Sequence, residues 1–259
     1  MARPRTTIAA TVRRPLRVDV DTGNGPLIVL LTGFAMPPAL YRPTADLLGQ
    51  TCRVVVPDIY RVRGRWRRDD IVDRLATTIA DIGANRATII GHSFAGGIEL
   101  SYAARFPERI RELVFADTLC NSREFRLANE ATRHPVRLLW MATPSAARSF
   151  GETAITHPRQ VVEAGWFGFT SSRHPDIERV ASLGIRSYVL WANRDSILRR
   201  SDGAAMAREL RASFTVARSA DGKPVDHDWV YRHPDLFVDH LQQLDLEALR
   251  TACCPRRMV

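Results

Sequence analysis

The chain has 259 residues, of which 45% are hydrophobic, so it is long enough to form one large α/β domain with a sizeable core. Its formal net charge of +9 comes almost entirely from scattered arginines, with Lys223 as the one lysine, and this pattern argues against nucleic-acid binding. The dense run of arginines at residues 61–68 is equally typical of a solvated loop and of a phosphate-binding strip. Salt-dependent retention on DNA tests the second interpretation.

The cysteines and the first residues indicate the compartment. Cys52, Cys120, Cys253 and Cys254 have neither metal-ligand spacing nor the pattern of a disulfide framework, which favours a reducing environment. Residues 1–14 contain no apolar stretch long enough for a signal peptide or a membrane span. We therefore expect a cytoplasmic protein with no membrane span.

The first part of the chain predicts a hairpin and then a βαβ unit. Continuous apolar runs are typical of strands that are buried on both faces of a parallel sheet. The hairpin strands are predicted at residues 6–12 and 16–20, and the βαβ unit comprises a strand at 27–31, a helix at about 39–48 and a strand at 53–57.

The same alternation continues to Asp117. Ile71, Leu75, Ile79 and Ile82 recur at helical spacing, and this predicted helix has acidic residues at its beginning and a glycine after its end. A strand before Ser93, a helix at 94–105 and a strand at 112–116 follow. Such a βαβαβ order predicts an α/β fold with a mostly parallel, doubly wound sheet.

Residues 119–184 break this alternation. They are interrupted by prolines and rich in large apolar side chains, which predicts a helical lid inserted into a core domain formed by residues 1–118 and 185–259. We expect its aromatic residues to face the sheet edge, and part of this surface to line an apolar pocket. The alternative for each of them is that it only packs the lid against the core: Trp140, Trp166, Phe167 and Phe169. The final predicted elements are a strand at 187–191, a helix at 201–211, a strand at 213–217 and a helix at 234–249.

Residues 87–99 predict a strand, a tight turn and a helix with Ser93 at the apex. A strained turn of this kind holds a serine hydroxyl out of the sheet, and it requires small neighbours. Gly91, Ala95 and Gly96 provide the space. The alternative for these residues alone is an ordinary glycine-rich turn between a strand and a helix.

Three residue types suited to nucleophilic catalysis follow strands of the predicted sheet. Ser93, Asp195 and His227 could act as a nucleophile, an orienting acid and a base, because parallel strands deliver their following loops to one edge. Asp117 also ends a strand at that edge and competes with Asp195 as the acid. Its alternative role is a structural carboxylate, which is also the interpretation for Asp58.

Three motifs carry a family resemblance, which covers residues 17–249. Gly91-His-Ser-Phe-Ala-Gly-Gly97, Trp191-Ala-Asn-Arg-Asp195 and His227-Asp-Trp, with His233-Pro-Asp-Leu-Phe237 after it, occur in the order Ser, Asp, His. In this respect the chain resembles the Ser-Asp-His members of the α/β-hydrolase superfamily. Thr32, Ala95 and Ala192 stand at positions where that family usually has histidine, glycine and glycine.

The resemblance implies an esterase-like serine hydrolase of a small molecule. Ser93 would attack a carbonyl, His227 would take its proton and Asp195 would orient the histidine, while the backbone N–H groups of Phe34 and Phe94 would bind the oxyanion. This chemistry requires no metal and no organic cofactor. Thioesterase, carbon–carbon bond hydrolase, perhydrolase or lyase activity on the same residues, or a non-catalytic ligand-binding role, remain alternatives.

Overall fold

The computed structural model describes residues 13–119, 144–170 and 174–250. These residues form a seven-stranded sheet with the order β1-β3-β2-β4-β5-β6-β7. Its β1 strand is antiparallel to β3, and the other neighbouring pairs are parallel. The strands are β1 Arg17–Thr22, β2 Leu27–Leu31, β3 Arg53–Asp58, β4 Ala87–His92, β5 Ile110–Ala116, β6 Ser187–Ala192 and β7 Ser213–Ala217.

Helices connect the parallel strands. Those before β6 are α1 Arg42–Leu48, α2 Arg68–Asp81, α3 Gly96–Arg105, α4 Pro144–Thr156, α5 Pro158–Thr170 and α6 His174–Ser182. Those after β6 are α7 Arg200–Leu210, α8 Trp229–Arg232, α9 Pro234–Gln243 and α10 Glu247–Arg250. Short 3-10 turns precede α1 and α3, at Pro38–Tyr41 and Ser93–Ala95. None of the described helices has the length and apolarity needed to cross a membrane.

The two faces of the sheet are both covered, because successive side chains of a strand point to opposite faces. In β2, Val29 and Leu31 join the cluster that includes α2, α3 and α7. Ile28 and Leu30 join the opposite cluster, which includes α1 and α9. This burial on both sides explains the continuous apolar runs of the strands and confirms the predicted doubly wound, mostly parallel sheet.

Two predicted elements differ from the structure or lie outside its described part. The predicted helix at 234–249 is wrong in extent: α9 ends at Gln243, and Asp245 has a left-handed φ of 57°, which a continuous helix cannot accommodate. The predicted strand at 6–12 lies outside the described residues. So do residues 120–143, which include Cys120 and Trp140, and Cys253 and Cys254 of the C-terminal segment.

Candidate active site

The site lies where the connections of the sheet change direction. From β2 the chain crosses to β3 on one side, whereas β4 lies on the other side of β2. The loops that follow β2 and β4 therefore diverge and leave a crevice at the carboxyl ends of the strands, which is where ligands bind in open α/β sheets. Phe34 and Ser93 lie in these two loops.

Ser93 occupies a strained turn directly after β4. Its φ of 53° is in the left-handed region, which few residues other than glycine adopt. The glycines around it are required for close approach: a Cβ at Gly91 would collide with the Glu99 side chain, and one at Gly96 would collide with Thr118. Small residues are therefore required on both sides of the serine, as predicted, because Gly91 lies against Glu99 of α3 and Gly96 lies against Thr118, which follows β5.

The structure brings Ser93, His227 and Asp195 together in a row of hydrogen bonds. The His227 Nε2 atom is 2.9 Å from Ser93 Oγ, and its Nδ1 atom is 2.8 Å from Asp195 Oδ2. The other Asp195 oxygen accepts the backbone N–H groups of Ile197 and Leu198, both at 2.8 Å. Asp195 is thereby held in one orientation, which in turn selects the His227 tautomer with its proton on Nδ1.

The charges of this row favour an imidazolium–carboxylate pair. Burial disfavours protonation of His227, but the Asp195 charge and hydrogen bond outweigh it and raise the pKa of His227 to about 9. Burial acts to raise the pKa of Asp195, yet His227 and the two backbone N–H donors hold that pKa below its ordinary value. The site is thus built to stabilise positive charge on His227 when it takes a proton.

Two residues that the sequence analysis did not single out join the loops that carry Asp195 and His227. The Asp226 Oδ1 atom accepts the backbone N–H of His227 at 2.7 Å and both the N–H and the hydroxyl of Ser196, at 2.9 and 2.6 Å. The Asn193 side chain accepts the backbone N–H of Val225 at 2.8 Å. Their only sequence signal is their position within two residues of Asp195 and His227.

Asp117 lies close to the same row but has a different set of partners. Its Oδ1 atom accepts the backbone N–H of Ala192 at 2.7 Å, and its Oδ2 atom accepts the indole N–H of Trp229 at 2.6 Å. The side chain is fully buried, and this burial together with the Asp195 charge raises the pKa of Asp117 well above its ordinary range. His227 is hydrogen-bonded to Asp195, so the geometry favours Asp195 over Asp117 as the orienting acid.

Within the described part of the chain, Asp117, Asp195 and His227 form a group whose ligand atoms lie within 4.8 Å of one another and could surround a metal ion. Both oxygens of each carboxylate already accept N–H groups. The two nitrogens of His227 are paired with Asp195 and Ser93. A cation would have to displace these hydrogen bonds, so this set of atoms fits a proton-transfer site better than a metal site.

Phe94, which directly follows Ser93, belongs to a group of aromatic rings. The Phe94 ring lies 5.5 Å from Phe34, 5.9 Å from Trp66 and 6.2 Å from Phe167, measured between centroids. Tyr60 lies 6.4 Å from both Phe34 and Phe94. We call these five side chains the aromatic wall: Phe34, Tyr60, Trp66, Phe94 and Phe167. The sequence analysis did not place Trp66 beside Phe94, although a tryptophan within a run of arginines was the available signal.

The helix α5 is attached to the loop that carries Trp66. The Glu163 carboxylate accepts the backbone N–H of Trp66 at 2.5 Å and the Arg65 side chain at 3.1 Å. The Gln160 amide donates to the backbone carbonyl of Gly64 at 3.0 Å. These contacts place Phe167, on the same helix, against Trp66 with 5.4 Å between ring centroids.

The expectation that Trp166 faces the sheet edge is wrong. Its side chain is 72% exposed, whereas Ala164 and Gly168 of the same helix are buried and Phe167 packs on the aromatic wall. A rotation of about 100° per residue separates adjacent positions of a helix, and here the buried face of α5 includes Ala164 and Gly168 but not Trp166. Trp140 and the side chain of Phe169 lie outside the described part of the chain.

Comparison with known proteins adds two partial sequence matches. The 2-hydroxymuconate semialdehyde hydrolase of Pseudomonas putida is 32% identical over 117 residues, which cover 42% of this chain and 41% of that protein. The pimeloyl-(acyl-carrier protein) methyl ester esterase of Nitrosomonas europaea is 33% identical over 101 residues, which cover 38% of this chain and 40% of that protein. The matches thus span about two fifths of the length of these curated relatives.

Structural similarity extends over nearly the whole chain. A thermophilic esterase from Thermogutta terrifontis superposes with a TM-score of 0.70 at 19% identity, covering 90% of this chain and 94% of that one. A sequence model of the alpha/beta hydrolase family matches residues 28–240. This match runs from β2 into α9 and includes Ser93, Asp195 and His227, and the chain therefore belongs to the alpha/beta hydrolase family.

Proposed function

We propose that this protein is a serine-dependent hydrolase of apolar carboxylic esters, with Ser93 as the nucleophile, His227 as the base and Asp195 as the orienting acid. The observation that carries this proposal is the row of two hydrogen bonds, 2.9 and 2.8 Å long, from Ser93 through His227 to Asp195. Its geometry satisfies the requirement that a nucleophile, a base and an orienting group lie within hydrogen-bond reach of one another.

In the first half of the reaction, neutral His227 takes the proton of Ser93 Oγ as that oxygen attacks the ester carbonyl carbon. The resulting imidazolium is stabilised by Asp195. His227 then returns the proton to the leaving alcohol as the carbon–oxygen bond breaks, and an acyl-enzyme on Ser93 remains. In the second half, a water molecule gives a proton to His227 and attacks the acyl carbon. His227 then returns this proton to Ser93 Oγ as the bond between Oγ and the acyl carbon breaks, which releases the acid and restores the Ser93 hydroxyl and neutral His227.

The negative charge that develops on the carbonyl oxygen requires hydrogen-bond donors. We assign this role to the backbone N–H groups of Phe34 and Phe94. Both residues lie in the loops that diverge around Ser93, and Phe94 is in the turn that leads into α3. The first backbone N–H groups of a helix have no acceptor within the helix and can bind an anion. Main-chain donors carry no side-chain signature, so they follow from the position of the two loops.

The aromatic wall supports an apolar substrate. Phe94 and Trp66 are almost completely buried, and Phe34 and Phe167 are half-buried, beside the proposed oxyanion donors. Four of the wall's five side chains, those of Phe34, Trp66, Phe94 and Phe167, have no ionisable group. We propose that the segment 119–184, which carries Phe167, acts as the lid of a core formed by residues 1–118 and 185–259. The substrate is then a small molecule with an apolar acyl or alcohol group.

The partial relatives suggest a second candidate reaction on the same residues. One of them is named as a hydrolase of 2-hydroxymuconate semialdehyde, and another as a methyl ester esterase. Cleavage of a carbon–carbon bond next to a carbonyl could use the same base and oxyanion donors. The aromatic wall favours the ester, because it offers few polar groups to a carboxylated semialdehyde.

The experiment is fluorophosphonate labelling of the purified protein, followed by rate measurements on p-nitrophenyl esters, thioesters, lactones and 2-hydroxymuconate semialdehyde. Labelling of the wild type and its absence in Ser93→Ala support a nucleophilic serine. Highest kcat/KM on an ester supports the proposed substrate class. Highest kcat/KM on the semialdehyde would assign the second reaction, and a wild type that resists labelling would contradict the proposal.

A further inference from the structure

A second row of hydrogen bonds runs beneath the proposed catalytic residues. The backbone N–H of Gly33 donates to the Tyr41 hydroxyl at 3.0 Å, and this hydroxyl is 2.6 Å from His92 Nδ1. On its other side, His92 Nε2 is 3.0 Å from the backbone carbonyl oxygen of His227. Tyr41 and His92 are both buried, so water does not compete for these contacts.

The direction of each bond follows from its ends. The backbone N–H of Gly33 can only donate, so the Tyr41 oxygen accepts from it and directs its one proton to His92 Nδ1. The carbonyl of His227 can only accept, so the proton of His92 lies on Nε2. His92 is therefore a neutral imidazole with one defined tautomer, and each polar atom in the row has a partner.

Electrostatics keep the row in this single state. Burial and the neighbouring His227 ring lower the pKa of His92 to about 3. The His92 and His227 rings have centroids 5.1 Å apart, so a second positive charge would oppose the imidazolium that forms on His227 during catalysis. Burial also raises the pKa of the Tyr41 hydroxyl well above its ordinary value, and the hydroxyl keeps its proton.

The ends of this row coincide with the groups that the reaction has to align. Gly33 directly precedes Phe34, the proposed oxyanion donor of the loop after β2. His92 directly precedes Ser93, and the far end of the row holds the backbone of His227. Building on the proposed function, we infer that Tyr41 and His92 are positioning residues. They hold the loop of Gly33 and Phe34, the nucleophile Ser93 and the base His227 at fixed positions relative to one another.

Substitutions of these positioning residues should destabilise the transition state and so lower kcat. A displacement of about 1 Å in a catalytic group costs on the order of 100-fold in rate, and loss of one oxyanion donor costs about 100- to 1,000-fold in kcat. Tyr41→Phe loosens the loop of Gly33 without removing the donor itself. We therefore expect kcat to fall about 10- to 100-fold while KM changes less than about threefold.

Tyr102 provides a matched control. It is a fully buried tyrosine in α3, and its hydroxyl has no hydrogen-bond partner among the described residues. Tyr102→Phe removes the same atom from the same kind of environment at a position outside the site. We expect its kcat to stay within about twofold of the wild type.

The test measures kcat and KM of wild type, Tyr41→Phe and Tyr102→Phe on p-nitrophenyl butyrate, with each rate divided by the active fraction titrated with a fluorophosphonate. This division removes any effect of unfolded protein. A selective fall of kcat in Tyr41→Phe supports the inference. A kcat per active site within twofold of the wild type, or an equal fall in both variants, overturns it.

A second pair of variants keeps the test decisive if Tyr41→Phe does not fold. His92→Gln retains a side-chain donor and an acceptor, whereas His92→Leu retains neither. We expect kcat per active site to be at least about fivefold higher for glutamine than for leucine, because only glutamine can still donate to the His227 carbonyl. Equal values would contradict the inference. A wild type that is neither labelled nor active would instead contradict the proposed function, and the inference with it.

Discussion

The two sides of Ser93 are built from different chemistry. On one side, His227, Asp195 and Asp226 are held by hydrogen bonds of 2.6 to 2.9 Å, and both ring nitrogens of His227 and both carboxylate oxygens of Asp195 have a partner. On the other side, the aromatic wall is held by ring contacts of 5.4 to 6.4 Å with varied tilts. Hydrogen bonds weaken steeply with distance and angle, whereas apolar packing depends mainly on volume.

This difference separates the chemistry from the substrate preference. The polar side would tolerate almost no change, since a shift of a few tenths of an ångström alters proton transfer. The aromatic wall would tolerate changes in size, each with a graded effect on the substrates that fit. Substitutions on the polar side should therefore change kcat for every substrate, and substitutions in the wall should change which substrate is preferred.

The largest effect is expected for Ser93→Ala, which removes the nucleophile. We predict a loss of about 10⁴-fold or more in kcat, since residues of such a row act as a unit. The measurement is hydrolysis of p-nitrophenyl butyrate, with circular dichroism to show that the variant is folded. A folded variant that retains a tenth of the wild-type rate would remove Ser93 from the mechanism.

The next effect distinguishes the two buried aspartates. Asp195→Asn should lower kcat by about 10³- to 10⁴-fold, because an amide at this position favours the wrong His227 tautomer. Asp117→Asn should lower kcat less than about tenfold, because the Asp117 oxygens accept the N–H groups of Ala192 and Trp229 and not the ring of His227. The reverse order of the two variants would assign the orienting acid to Asp117.

The pH dependence of kcat/KM should depend on the interaction between His227 and Asp195. His227 acts as a base only when it is neutral, and its pKa is raised to about 9. We therefore predict that kcat/KM rises about tenfold per pH unit from pH 6.5 and levels off near pH 9. In Asp195→Asn this limb should move to lower pH, because the carboxylate that raises the pKa is gone. A wild-type profile that is flat above pH 6.5 would contradict this assignment.

The smallest effect concerns the aromatic wall. We predict that kcat/KM on p-nitrophenyl esters rises from acetyl through butyryl to hexanoyl and then falls, with up to about fourfold per methylene, since each buried methylene contributes about 0.8 kcal/mol. Phe167→Ala should shift the optimum to longer acyl chains.

Trp166→Ala is the matched control for this profile. It truncates the adjacent residue of the same helix, but this side chain is largely exposed, so the optimum should stay where the wild type has it. A flat profile in the wild type, or an equal shift in both variants, would contradict an acyl pocket formed by the wall. A preference for charged acyl groups would do the same.

The sequence by itself determined the features that depend on local pattern. Buried parallel strands require continuous apolar runs, and a serine at the apex of a strand-to-helix turn requires small residues on both sides. The sheet, the turn at Ser93 and the three loops that carry Ser93, Asp195 and His227 could therefore be predicted. The catalytic roles of these residues remain a prediction, although the structure places their side chains in one row.

Only the tertiary structure decided which distant groups meet. Asp117 and Asp195 both follow strands at the same edge; the motif that ends in Asp195 favoured this residue as the acid, but the hydrogen bond of His227 to Asp195 comes from the packing of the loops. Tyr41 lies 51 positions before His92, and Trp66 receives its position from Glu163, 97 positions away. Such partners are chosen by how the helices and loops pack on the sheet, because hydrogen-bond geometry is set within a few tenths of an ångström while sequence pattern specifies only a face or an edge.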